Sequence, residues 1–339
     1  MTTIVTTPTS GPEIPPESAR KVNSASDGAD RVFRLSLQGA GLAVLAIMSG
    51  IGLFLFYQGW TALSQAGLSF FTTQAWEPDS NNFGIATALT GTLLIAGVAL
   101  ILAVPLATGV ALYISEYAPP RLRRAGINLV DFMAAVPSVV YGLWGSILLQ
   151  EQIIPVARFL SSTFGWIPFL RIHDADPNDP LADLTVYKSS TFLAGIVVSL
   201  MIMPFICSVM RESFSQAPVG EREGAYALGA TRWGMIRSVV LPFGRGGMIG
   251  GTMLGLGRAM GETIAVLMII TQVFQIQPEI LRSGASSIAA LIANRFGAAS
   301  PFEISALLAA GLALFLLTLV INFAAAAVIA RTRSGQESG

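Results

Sequence analysis

Charge is scarce in this 339-residue chain: 12% of its residues are Asp, Glu, Lys or Arg, against roughly 25% in soluble domains. The deficit, with 53% hydrophobic residues, points to lipid as the solvent for much of the surface. Lys+Arg and Asp+Glu stand at 20 each, so charge gives no reason to expect nucleic acid as a partner. One cysteine, Cys207, cannot form an intramolecular disulfide, and inside its apolar run it reads as a small buried residue. One histidine, His173, argues against a histidine-rich metal site. The only lysines are Lys21 and Lys188, and no G-x-x-x-x-G-K-[ST] run occurs, so ATP cannot be held in a P-loop. Energy for active work must come from a separate ATPase or an ion gradient. No Ser/His/Asp set, zinc-ligand spacing or inward array of acids suggests catalysis or proton pumping. The chain is expected to be no enzyme and to hold no cofactor or metal.

Apolar runs are plentiful. A helix needs about 20 apolar residues to cross the hydrocarbon core, and lipid forces backbone groups to bond internally, which favours helices. Six runs qualify: Leu35–Tyr57, Ile85–Ser115, Ala125–Leu149, Thr191–Met210, Gly246–Thr271 and Ile304–Ala330. The expected fold class is an all-α integral membrane protein of six transmembrane helices. Residues 1–30, rich in Thr, Ser, Pro and Gly, are expected to form a disordered tail. The first apolar run is too long for a signal peptide.

Lys and Arg set the orientation. With the N-terminus cytoplasmic, inner segments carry 14 of them and outer loops 5, and Arg258 completes the 20. Both termini are therefore expected inside. The outer loop from Gln150 to Ser190 is long, and its first half, Ile153 to Leu170, reads as a segment at the membrane surface or against the helices. His173 to Pro180 (HDADPNDP) lacks calcium-loop spacing and reads as a solvated loop.

The inner loop over residues 211–245 is strongly patterned. Pro218 can open a helix whose first turn holds Glu221 and Glu223, favoured there by the helix dipole. Gly229 can end it in a left-handed conformation, and Thr231 can cap a second helix. Pro242 is expected to break the chain before the fifth span. The pattern predicts a short helix, a glycine corner and a second helix across the membrane face. Such a shape suits insertion into a partner's groove, and equally a connector packed on its own bundle.

Inside the fifth span lie Arg258, roughly 24 Å past Pro242 at about 1.5 Å per residue, and Glu262, four residues on. A charge at a helix centre costs about 2.5–3.5 kcal/mol in lipid, so the two must face the bundle, a partner or water. Either they neutralise one another and lock packing, or Arg258 offers a planar donor fork to an oxyanion while Glu262 moderates the site. Gly247, Gly251, Gly255 and Ala259 form a small-residue ridge that invites another helix and places Arg258 near a subunit seam. Glu116 is expected to snorkel or pair with Arg121 or Arg123. Asp131 is expected one turn inside the third span, where Pro137 and Gly142 kink the helix and free a carbonyl.

Glu223-Gly224-Ala225, Gly229 after three residues, and Val239-Val240-Leu241-Pro242 after nine more resemble the EAA motif of bacterial ABC importer permeases. YISEYAPP (Tyr113 to Pro120), VPSVVYGLWG (Val136 to Gly145) and GLGRAMGETIAV (Gly255 to Val266) narrow the resemblance to phosphate permeases of the PstC type. The resemblance implies the MetI-like architecture of type I importers, with a first helix and outer loop over 31–84, a permease domain over 85–331 and a tail over 332–339. It implies that Glu223, Ala225, Gly229, Leu241 and Pro242 belong to the loop that docks on an ATPase, and that Arg258 and Glu262 are needed for transport. The implied partners are a second homologous permease (PstA type), two ATPase copies (PstB type) holding ATP and magnesium, and an outer phosphate-binding protein (PstS type). Membrane lipid surrounds the whole, in a bacterial inner membrane. A permease for molybdate or phosphonate, a gradient-driven anion carrier and a non-transporting scaffold are the alternatives.

Overall fold

The computed structural model describes residues 28–173, 179 and 183–333. The expected N-terminal tail, apart from its last three residues, most of 173–180, and the last six residues of the chain lie outside them. The chain divides into two compact units, residues 1–51 and 52–339. The boundary falls inside α1 (Gly28–Ala66), a helix of 39 residues. In the first unit the described side chains, from Asp30 on, are exposed and mostly apolar, as suits a helix solvated by lipid.

The second unit holds α2 (Ala86–Leu112), α3 (Pro120–Ala135), α4 (Ser138–Trp144), α5 (Gln150–Phe164), α6 (Thr191–Ser215), α7 (Val219–Ala227), α8 (Arg232–Met235), α9 (Leu241–Gly261), α10 (Ile264–Ile269), α11 (Ile288–Arg295) and α12 (Pro301–Arg333). Among the described residues, six stretches are long and apolar enough to cross a membrane. The all-helical expectation meets one exception, a hairpin of β1 (Trp76–Glu77) and β2 (Asn82–Phe83) with Trp76 opposite Phe83.

The core is built around α6. Leu193, Ala194, Val197, Val198, Ile206, Cys207, Met210 and Phe214 are fully buried. The free thiol of Cys207 lies among them, as its apolar context predicts. Against α6 runs α2, whose Ala99, Ala103, Ala107 and Ala111 are also fully buried. Four-residue spacing aligns these methyls on one face. Small side chains let the backbones close: a Cβ added at Gly195 would meet Val98 at 2.4 Å. The ridge of α9 packs on the other flank of α6, with Gly247 against Ser213, Gly251 against Val209 and Gly255 against Ile206. The seam invited by this ridge is thus internal, contrary to the expectation of a subunit boundary there.

Two expected spans are drawn differently. The third was placed over Ala125–Leu149. The structure breaks at Val136 (φ −66°, ψ 127°), because Pro137 drives the preceding residue out of the helical region. A new helix runs from Ser138 through a π turn, Gly145–Leu149, into α5. The apparent surface segment after Ile153 is thus the continuation of the third span, Ser138–Phe164. The carbonyl expected to be freed by Pro137 is engaged: Met133 O accepts from the Tyr141 hydroxyl at 3.1 Å and from the Val136 amide. Gly142 lies beyond the break and admits Ala265 of α10, whose Cα would be 2.9 Å from an added Cβ.

The second redrawing concerns Pro242. No break occurs there. The helix runs from Arg232 through a π turn, Ile236–Val240, to Gly261. The widened turn accommodates a proline that lacks an amide donor and crowds the preceding turn.

A second core joins the end of α1, the hairpin, α11 and α12 through Ala62, Phe70, Trp76, Phe83, Ile288, Leu291 and Leu307. Trp76 Nε1 donates to buried Glu303 at 2.9 Å.

Gly195→Val should destabilise the purified protein by roughly 1–3 kcal/mol through overpacking, read as a lower Tm in detergent. Gly97→Ala, with no neighbour within 4 Å of the added carbon, should leave Tm within a degree or two.

Candidate functional site

The sequence places Arg258 and Glu262 one turn apart on one helix. In the structure Glu262 is the last, capping position of that helix. Helix α9 ends at Gly261, and Glu262 adopts extended geometry (φ −66°, ψ 124°). Thr263 donates its hydroxyl to Gly261 O at 3.0 Å, satisfying one carbonyl at the break. Glu262 Oε1 accepts from the Ala265 amide at 3.4 Å, at the first turn of α10. With Glu262 turned to the Ala265 amide and Arg258 to Phe205, no ion pair joins the two charges among the described residues, and the expected packing lock between them does not form.

Arg258 has another neighbour. Its guanidinium lies over the Phe205 ring, 4.3 Å from the centroid, a contact between a delocalised cation and an aromatic face. Arg258 is exposed on this chain, and Glu262 is half-buried. Beside them Gly250, Gly257 and Gly261 have nothing within 4 Å of an added Cβ. The charge therefore stands between a bare strip of small residues and the ridge of α9 that α6 uses, with α6 supplying Phe205 beneath it. Left in hydrocarbon, it would carry the penalty of a charge at the helix centre. The face demands a partner or water.

The second candidate region is the loop between α6 and α9. Helix α7 follows Pro218, has Glu221 in its first turn and buries none of its residues. Gly229 is left-handed (φ +83°), and Thr231 accepts from the Gly234 amide at 3.1 Å, both as their residue types predict. Glu223 and Gly229 are exposed and Ala225 is half-buried. Leu241 and Pro242 lie within the continuous α8–α9 helix. Val219, Tyr226, Leu228 and Trp233 add an exposed apolar surface, Leu228 at 92% exposure. Large apolar side chains grouped among charges mark an interaction surface.

Glu116, expected to snorkel or to pair with Arg121 or Arg123, pairs with Arg222 instead, Oε2 to Nη1 at 3.1 Å. Sequence gave no way to choose among the arginines, because the chosen partner lies 106 positions away. Arg222 immediately precedes the motif's Glu223, the one local signal that could have singled it out. Asp131 sits on α3 before the Pro137 break and is exposed.

The pattern of the family described as binding-protein-dependent transport system inner membrane component matches residues 103–334. The chain belongs to this family. The permease is 38% identical over 303 residues to the phosphate transport system permease protein PstC 2 of Mycobacterium tuberculosis, covering 88% of this chain and 91% of that protein. It is equally identical over 296 residues to PstC of Haemophilus influenzae, covering 86% and 90%. Its fold resembles that in the MetNI methionine ABC transporter in an inward-facing conformation (TM-score 0.52, 16% identity, 73% of this chain and 95% of the other). It likewise resembles a chain of a bacterial ABC transporter involved in import of alginate (TM-score 0.51, 19% identity, 89% and 99%). These likenesses agree with the expected MetI-like architecture of the permease.

Within the loop between α6 and α9, Thr231→Ala should cost about 1 kcal/mol by removing the cap, and Gly229→Val about 1–2 kcal/mol by forcing a branched residue into the left-handed region. Both should hasten proteolytic cleavage between Leu228 and Arg232 in detergent-solubilised protein.

Proposed function

We propose that the permease forms part of the pathway of an ATP-driven importer and that its cargo is inorganic phosphate. The observation that carries this is Arg258: a permanent cation in the fifth span, exposed on this chain, with no carboxylate partner among the described residues. A guanidinium presents planar donors that match an oxyanion bidentately. Identity of 38% to PstC proteins across nearly nine-tenths of the chain supports phosphate as that oxyanion. Glu262, at the break beside it, would moderate the field so that the anion leaves again.

The bare face around Arg258 would meet a second, homologous permease. The exposed apolar and acidic surface of α7 would dock one copy of a separate ATPase, which holds ATP and magnesium, and the second permease would dock another. An outer binding protein would deliver phosphate. Both termini would lie in the cytoplasm, a reading supported by the uneven distribution of Lys and Arg between the two sets of loops. ATP-driven closure of the ATPase pair would move the docked loops and rock the two bundles between outward and inward openings. A gradient-driven carrier would need neither the exposed loop nor an ATPase.

Arg258→Gln should reduce radiolabelled phosphate uptake by the complete complex to background while the second permease and ATPase still copurify. Undiminished uptake would remove Arg258 from the pathway. Leu228→Asp should weaken ATPase copurification by about tenfold or more, the effect of a central docking contact; full retention in a pull-down would exclude α7 as the docking surface.

A further inference from the structure

The inner end of α2 grips both helices of the α6–α9 loop. It ends in a π turn, Tyr113–Tyr117, that presents two adjacent side chains. Glu116 holds Arg222 of α7. Tyr117 lies under the guanidinium of Arg232, 5.2 Å from its ring centroid. Arg232 is the first residue of α8 and opens the unbroken helix that ends at Gly261. From Arg232 to Arg258 is 26 residues, about 39 Å along one rod. A displacement of the loop therefore reaches α2 and the Arg258 helix together.

The Glu116–Arg222 contact is itself incomplete. The carboxylate is 5% exposed and the guanidinium 20%. Arg222 Nη2 donates to the Phe214 carbonyl at the end of α6, at 2.6 Å, leaving Nη1 alone to reach Glu116. Glu116 Oε1 and Arg222 Nε are both buried with no hydrogen-bond partner among the described residues. Guanidinium and carboxylate usually close through two parallel bonds, and buried polar atoms are seldom left unmatched. Turning the guanidinium toward Glu116 would satisfy Oε1 and Nε and release Phe214 O. Phe214 O would keep the Ala217 amide at 3.3 Å, so two arrangements of one side chain compete that differ in whether it ties α7 to α6 or closes fully on α2. The end of α6 follows the same contact, since the Phe214 ring lies 2.4 Å from a Cβ added at Gly244 in α9.

We infer that Glu116 and Arg222 are positioning residues, a two-position latch that converts movement of α7 into movement of α2, α6 and the Arg258 helix. The inference rests on the reading that α7 docks an ATPase. A pair that merely held the loop in place would affect assembly and not the stoichiometry of transport.

The test uses the complete complex with its binding protein in proteoliposomes. Glu116→Gln should retain the ATPase and its hydrolysis but import about tenfold less phosphate per ATP, a coupling loss of ordinary size. Glu116→Asp, which keeps the charge, should stay within about twofold of the starting ratio. An unchanged ratio in Glu116→Gln, an equal fall in Glu116→Asp, or loss of the ATPase from Glu116→Gln would each overturn the latch. Spin labels at Tyr113 and Gly220, in a Cys207→Ala background, give a check that leaves both charges intact. ATP should shift their distance distribution, and an unchanged distribution would overturn the proposal. Leu228→Asp separates the two readings: if it keeps its ATPase, the docking surface is wrong, whereas a failed latch with docking lost in Leu228→Asp leaves that surface standing.

Discussion

Close approach of helix backbones is the constraint on which the rest depends. Lipid gives helices no hydrophobic reason to associate, so packing and internal hydrogen bonding must hold them together. Here α2 offers a file of alanines and α9 a file of glycines, and α6 lies between them with its apolar side chains wholly enclosed. This three-helix unit fixes one face of α9, α12 packs on that helix as well, and a strip through Gly250, Gly257 and Gly261 stays bare. Arg258 stands at the edge of that strip, with its guanidinium over Phe205 of α6.

That framework lets two helices be broken without loss of backbone bonding. At Pro137 the Tyr141 hydroxyl reaches back to Met133 O, and at Glu262 the Thr263 hydroxyl and the Glu262 carboxylate meet the adjoining helix ends. Irregular backbone at membrane depth is tolerated where protein or water satisfies it. The half-helices α4 and α10 then pack on each other through Gly142 and Ala265. The break beside Arg258 is thus a supported feature of the bundle, and it puts a change of chain direction next to the fixed charge.

In the loop between α6 and α9 the same economy of contacts ties function to structure. Helix α7 buries none of its residues, so its hold on the bundle comes largely through Arg222 and through its continuity with neighbouring segments. An incompletely satisfied ion pair and an arginine stacked on Tyr117 are modest attachments for the segment expected to receive force. Modest attachments suit a part that must move, because a large apolar interface there would resist displacement.

Local chemistry was decided by the chain alone. Run length and scarcity of charge determine six spans, proline and glycine determine the corner at Gly229, and Thr231 determines the next cap, because each depends on residues within one or two turns. The short motifs sufficed for the family for the same reason. Tertiary structure decided what depends on distant partners. Arg222 lies 106 positions from Glu116, and no spacing rule selects it over Arg121 or Arg123. Continuity through Pro242 came from a π turn, and the turn of Glu262 toward α10 came from a helix end, neither of which periodicity signals. Hydrogen bonding and close packing favoured those departures from regular helix, and both interactions come into being only when the bundle closes.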